Sequence, residues 1–169
     1  MRWSDGWEKL LRTLGKTSAD DGPLSIVTIL DSNGFDDAIW CLRACDGIDK
    51  DARLFSVWCA RQVQHLMDDG RLINALDVSE RYANGNATDA ELKIAHDAAM
   101  DAAECAAWAV AECAAWATVW PQAWDAAWAA ADCAAVGSAG GASIKAARAA
   151  AKTAQEAEFR RIFCDASSQ

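Results

Sequence analysis

The feature that most restricts how this chain can fold is a tandem repeat of eight residues. Glu104-Cys-Ala-Ala-Trp108 is followed by Glu112-Cys-Ala-Ala-Trp116, with a shorter echo at Asp125-Ala-Ala-Trp128. Alanine favours helix and lets two helix backbones approach closely, while the large indoles fill the space beside them. The pattern predicts a long Ala/Trp-rich helical hairpin. Trp116, Trp120, Trp124 and Trp128 follow one another at steps of four. On a straight helix each such step drifts by about 40°, so the four rings spread over roughly a third of the circumference. Pro121 removes the bond to the Ala117 carbonyl and predicts a kink or a short break. Gly137 to Gly141 reads as a turn, and Ser143 to Cys164 as a last, basic helix.

Upstream, residues 3–14 suit an amphipathic helix with Trp7, Leu10, Leu11 and Leu14 on one face and Gly15 as its stop. Lys16 to Gly22 is a polar linker. Pro23 is expected to open a helix through Leu30, because its missing N–H is harmless in a first turn. Asp31-Ser32-Asn33-Gly34 has turn chemistry. A helix over Phe35–Cys45 follows, stopped by Asp46-Gly47. Asp49 is expected to cap the next, which runs to Met67 with Leu54, Val57, Trp58, Val63 and Leu66 inward. After Asp68-Asp69-Gly70, residues 71–83 form a helix with Leu72, Ile73, Leu76 and Tyr82 on its apolar face, ended by Asn84-Gly85. Thr88 and Glu91 make a capping box at the head of the long helix.

The fold class expected is all-α, a single-domain bundle of six or seven helices. Its segments are an N-terminal helix and linker (1–22), aliphatic helices (23–85), Ala/Trp-rich helices (86–136) and a basic C-terminal helix (141–164). Apolar residues form 53% of the chain, but many are alanine, so the larger side chains and nine tryptophans must supply most of the burial.

Charge narrows the function. The formal net charge is −9, from 25 acids and 16 bases, which argues against direct nucleic-acid binding. Five acids (Asp101, Glu104, Glu112, Asp125, Asp132) and no base lie between residues 101 and 140. The last helix then carries Lys145, Arg148, Lys152, Arg160 and Arg161. The two stretches are expected to pack antiparallel and complement each other. Asp5 and Glu8 stand where a secretion signal needs an apolar run. The longest uncharged apolar run, between Glu112 and Asp125, falls short of the ~20 residues of a membrane span. The seven cysteines sit within helical patterns and read as small buried hydrophobes of a reducing cytoplasm.

Few residues suggest chemistry. Arg61 and His65 are four apart and are expected to share a helix face. Arg53, Glu80 and Arg81 join them if the helices over 50–67 and 71–83 pair, giving a polar cluster suited to an anion or a carboxylate. Cys41, Cys45, Cys59 and His65 are zinc-ligand types, but a spacing of four on a helix is not a zinc knuckle, and no metal or cofactor is expected. His96, beside Asp97 and Asp101, reads as helix surface. Gly137-Ser-Ala-Gly-Gly lacks the Lys-Ser/Thr of a phosphate loop, and no nucleophile elbow occurs, so no catalytic residue is assigned.

Three stretches carry a resemblance: Leu54-Phe-Ser-Val-Trp-Cys-Ala-Arg-Gln-Val-Gln-His65, Ala75-Leu-Asp-Val-Ser-Glu-Arg-Tyr-Ala-Asn-Gly85 and Ala87-Thr-Asp-Ala-Glu-Leu92. Over residues 31–135 the chain resembles small bacteriophage and prophage proteins in which this block precedes an Ala/Trp-rich helical tail. More loosely, it is similar to bacterial immunity proteins with an Ala-rich helical region. The first resemblance implies an accessory protein of the host cytoplasm, acting against a host defence in the manner of an anti-CRISPR. The second implies a protein that neutralises a toxin. Both imply a non-enzymatic inhibitor that binds a host or toxin protein. The surface expected to do so is the stripe of Trp116, Trp120, Trp124 and Trp128 with Glu112, Asp125 and Asp132. Alternatives are DNA mimicry by the acids, self-assembly through the Trp stripe into a homo-oligomer, and a small-ligand site at Arg61, His65 and Glu80.

Overall fold

The computed structural model describes residues 2–103, 114–115, 117–118, 127, 129–130 and 141–164. Among them are seven α-helices and no strand, so the protein is an all-α bundle. The helices are α1 (Arg2–Thr13), α2 (Ile26–Asn33), α3 (Phe35–Cys41), α4 (Asp49–Arg61), α5 (Gly70–Ala83), α6 (Asp89–Ala103) and α7 (Gly141–Phe159). A π-helical turn, Arg160–Cys164, continues α7.

Short-range signals account for most helix ends. α5 closes in a Schellman motif: Gly85 N–H donates to the Tyr82 carbonyl, Asn86 N–H to the Arg81 carbonyl, and Gly85 takes φ +74°. Gly15 and Lys16 end α1 with the same pair of bonds, to Arg12 and Leu11. At the head of α6 the capping box forms as expected. Thr88 N–H and hydroxyl reach Glu91 Oε2 at 2.8 and 2.9 Å, and Glu91 N–H reaches Thr88 Oγ1 at 3.2 Å.

Four boundaries differ from expectation. Pro23 stays outside α2, which starts at Ile26 with the Ser25 hydroxyl accepting from Val27 N–H; a hydroxyl acceptor satisfies a first-turn donor, which proline at the opening position does not. The turn expected at 31–34 contracts to Gly34 alone. Its φ of +98° and ψ of 178° join α2 to α3 within one residue, a conformation essentially confined to glycine. α4 stops at Arg61, not Met67, and is followed by a 3₁₀ turn, Gln64–Leu66. Val63 and Met67 are both buried across that turn, so tertiary burial decides the ending. Asp49 is the first helical residue of α4 and does not cap it; Ile48 holds the cap position without a side-chain bond.

The core runs through Leu10, Ile29, Leu30, Ile39, Leu42, Phe55, Val57, Leu72 and Leu76 to Phe159 and Phe163. Alanine serves the close approaches. Ala95, Ala99 and Ala102 form one buried edge of α6, and Ala114, Ala115, Ala117, Ala127 and Ala130 are buried as well. α7 is fastened by aromatic rings. All four phenylalanines of the chain meet in one cluster, with Phe159 at 5.6 Å from Phe35, 5.9 Å from Phe55 and 4.8 Å from Phe163 between ring centroids. Gln155 donates to the Ala127 carbonyl at 2.8 Å in the interior. On the surface Lys152 pairs with Asp36, and Arg160 with Asp31 and Glu156. The partners of these two bases on other helices therefore lie on α2 and α3. Of the acids between 101 and 140, only Asp101 is among the described residues, and it is exposed.

Candidate functional site

A groove of about 450 Å³ opens between α4 and the end of α7. Leu54, Val57, Trp58 and Ile162 form its floor, and Asp51, Arg61, Glu80, Glu158 and Arg161 its rim. The volume lies within the ~300–1,000 Å³ of ordinary ligand clefts. The floor arises from the 3.6-residue period of α4, which sets Leu54, Val57, Trp58 and Arg61 along one side. Trp58 is held by stacking on the buried Phe55, 6.4 Å between centroids and 16° between planes.

The rim is tied together by ion pairs. Arg61 Nη2 donates to Glu80 at 2.6 Å and to Asp77 at 2.9 Å, and Nη1 donates to Gln64 at 3.0 Å. Burial by itself would lower the Arg61 pKa, but the bonds to Asp77 and Glu80 outweigh it and the net shift is upward. Arg161 forks onto Glu158 at 2.6 and 2.8 Å, and that bond holds the Glu158 carboxyl below its ordinary value. Both guanidinium groups are thus neutralised from within. Asp51 has no partner among the described residues, and the rim carries three carboxylates against two arginines.

The expected polar cluster is only partly assembled. Arg61 and Glu80 meet, as the pairing of α4 with α5 requires. His65 does not join them. It is exposed in the turn after α4, and because the helix ends at Arg61 the four-residue spacing no longer places the two on one face. Arg53 turns elsewhere, donating to the Thr118 carbonyl and lying 4.9 Å over the Tyr82 ring. Arg81 pairs with Glu91 at 2.9 Å. His96 is half-buried instead of lying on the surface. Its Nδ1 lies 2.7 Å from Thr118 Oγ1, whose hydroxyl proton points to the Ala115 carbonyl at 2.6 Å. A threonine hydroxyl has one proton, so Nδ1 is the donor in that contact.

Trp116, Trp120, Trp124, Trp128, Glu112, Asp125 and Asp132 lie outside the described residues. Cys59 is fully buried, which pushes its thiol well above the ordinary value, with the charge of Glu158 adding to the effect. No group of three metal-ligating side chains is gathered among the described residues, and no described helix is long and apolar enough to cross a membrane. Sequence reasoning missed Ile162 and Glu158 as walls of the groove. Their signal was the Phe159/Phe163 pair, which marks the buried side of the chain's end.

Comparison with known proteins finds no family model, no curated protein and no solved structure that matches this chain.

Proposed function

We propose that this protein is a non-enzymatic accessory inhibitor that holds a segment of a host protein in the groove between α4 and the end of α7. The observation carrying the reading is the groove itself: an apolar floor of Leu54, Val57, Trp58 and Ile162 inside a charged rim. Such an arrangement suits an amphipathic segment that sets apolar side chains on the floor and charges at the edge. The occupant is basic, because the rim arginines are already matched by Asp77, Glu80 and Glu158 while Asp51 is left over. The net charge of −9 steers such a partner toward the molecule. The resemblance to phage accessory proteins supplies the class of target, a component of a bacterial defence.

The test is affinity capture from host lysate with the wild-type chain, beside Asp51→Lys and Leu54→Lys variants. Both substitutions lie at the groove, and an unchanged circular dichroism spectrum is required of each before its binding is read. A stoichiometric partner retained by the wild type and lost from both variants supports the reading. No stoichiometric partner, or one that both variants keep, refutes it. A secreted toxin in place of a defence component would move the protein to the immunity class.

A further inference from the structure

A second pocket, of about 170 Å³, lies between α1, α2 and α3. Its walls include Trp7 and Trp40, which are 47% and 38% exposed. Leu10 and Ile29 close its apolar side, and Asn33 and Asp37 bring polar atoms to it.

The hydrogen bonds at this pocket leave one acceptor over. Asn33 Nδ2 donates to the Gly6 carbonyl at 2.8 Å and to Asp37 Oδ2 at 2.9 Å, and Asn33 Oδ1 accepts from Ser32 at 2.8 Å. Both amide protons are therefore used. Asp37 Oδ2 is matched, while Asp37 Oδ1 has no hydrogen-bond partner among the described residues. Gly6 makes this placement feasible: a Cβ there would stand 2.8 Å from Asp37 Oδ2 and 3.3 Å from Asn33 Nδ2. The half-buried carboxylate thus sits against the backbone of α1, in a pocket that both indoles line. Trp40 already serves as a platform for positive charge, with the Arg43 guanidinium 6.0 Å from its centroid. Burial raises the Cys41 thiol at the pocket wall, and the charge of Asp37 raises it further.

These features select the ligand's chemistry. An anion would meet Asp37 at close range. A neutral apolar group would cover a carboxylate and leave an acceptor unmatched, which is unfavourable. A cation with an apolar skin can meet the indoles and the carboxylate together. The pocket, of about 170 Å³, has room for a group of a few heavy atoms. We propose that the pocket formed by Trp7, Trp40 and Asp37 binds an alkylammonium group. It is separate from the α4–α7 groove and does not depend on the reading given to that groove.

The test follows the indole N–H signals of the full chain by ¹H–¹⁵N NMR, with Trp7 and Trp40 assigned from Trp7→Phe and Trp40→Phe. Three probes are titrated: choline, N-acetyl-lysine methylamide, and 3,3-dimethylbutan-1-ol, the neutral isostere of choline. Saturable shifts of both indoles with either cation, at least about ten-fold weaker with the alcohol, are expected. Choline alone would identify a quaternary ammonium ligand, and the lysine derivative alone a lysine side chain; either supports the site. Asp37→Asn should weaken binding roughly ten-fold with an unchanged circular dichroism spectrum. Should that variant not fold, Trp7→Leu, at an exposed wall, supplies the same test. Equal response to the alcohol and the cations, or no saturable shift with any probe, overturns the proposal.

Discussion

Replacing Phe159 by alanine should unfasten the end of the chain from the bundle. The side chain is fully buried and meets Phe35, Phe55 and Phe163 with centroids 4.8–5.9 Å apart. Truncating a buried phenylalanine costs about 3–5 kcal/mol through lost burial and the cavity left behind. The contacts with Phe35 and Phe55 are edge-on, and such pairs contribute ~0.5–1.5 kcal/mol each beyond their area, which places this site toward the upper end. For a chain of 169 residues a loss of about 4 kcal/mol lowers Tm by about 8–16 °C. It also removes a large share of a total stability of ~5–15 kcal/mol. Urea unfolding followed by far-ultraviolet circular dichroism measures the change, with Phe159→Leu as a control retaining most of the volume at a cost of about 1.5 kcal/mol. Because Glu158, Arg161 and Ile162 flank the same turn and wall the groove, partner capture should weaken in the alanine variant as well. A loss below about 1 kcal/mol would refute the claim that the phenylalanine cluster holds α7 in place.

Four other outcomes follow from local structure. Gly34→Ala should cost about 1–3 kcal/mol from backbone strain alone, since φ is +98° and nothing lies within 4 Å of the new methyl group. Gly70→Ala, equally open and without positive φ, should be neutral or slightly stabilising in the same thermal melt. Thr88 N–H, the Thr88 hydroxyl and Arg81 lower the Glu91 pKa from 4.5 to about 2. The folded value lies below the unfolded one, so its contribution is complete above about 4.5 and is lost as pH falls through about 2. Glu91→Gln should flatten the fall in urea midpoint across that window, and an unchanged slope would contradict the capping box. A double-mutant cycle of Arg61→Ala with Glu80→Gln should return a coupling of only ~0.2–1 kcal/mol, because the pair is 31% and 48% exposed. A much larger coupling would mean that the rim is less accessible to water than its surface implies.

What was legible in the sequence was what neighbours within about five residues decide. Gly15, Gly85 and the Thr88/Glu91 pair act on backbone groups in their own turn, so composition and spacing suffice to place them. The helix character of the Ala-rich α7 was legible for the same reason. The site was legible only where one long-range relation, α4 against α5, could be guessed, and it delivered Arg61 with Glu80. It failed at His65 because the end of α4 is not written locally. Gln62 to Met67 contains no glycine or proline, and the helix yields there so that Val63 and Met67 can both enter the core. That one override takes His65 off the face of Arg61, and Arg61 makes its bonds to Asp77, Glu80 and Gln64. The far wall of the groove had no periodic signature at all. Phe159 meets Phe35 and Phe55 across more than a hundred residues, and only that meeting brings Ile162 and Arg161 opposite Trp58. The groove is therefore a property of the aromatic cluster beneath it, and substitutions in the cluster should move binding and stability together, whereas the exposed Asp51 should move binding alone.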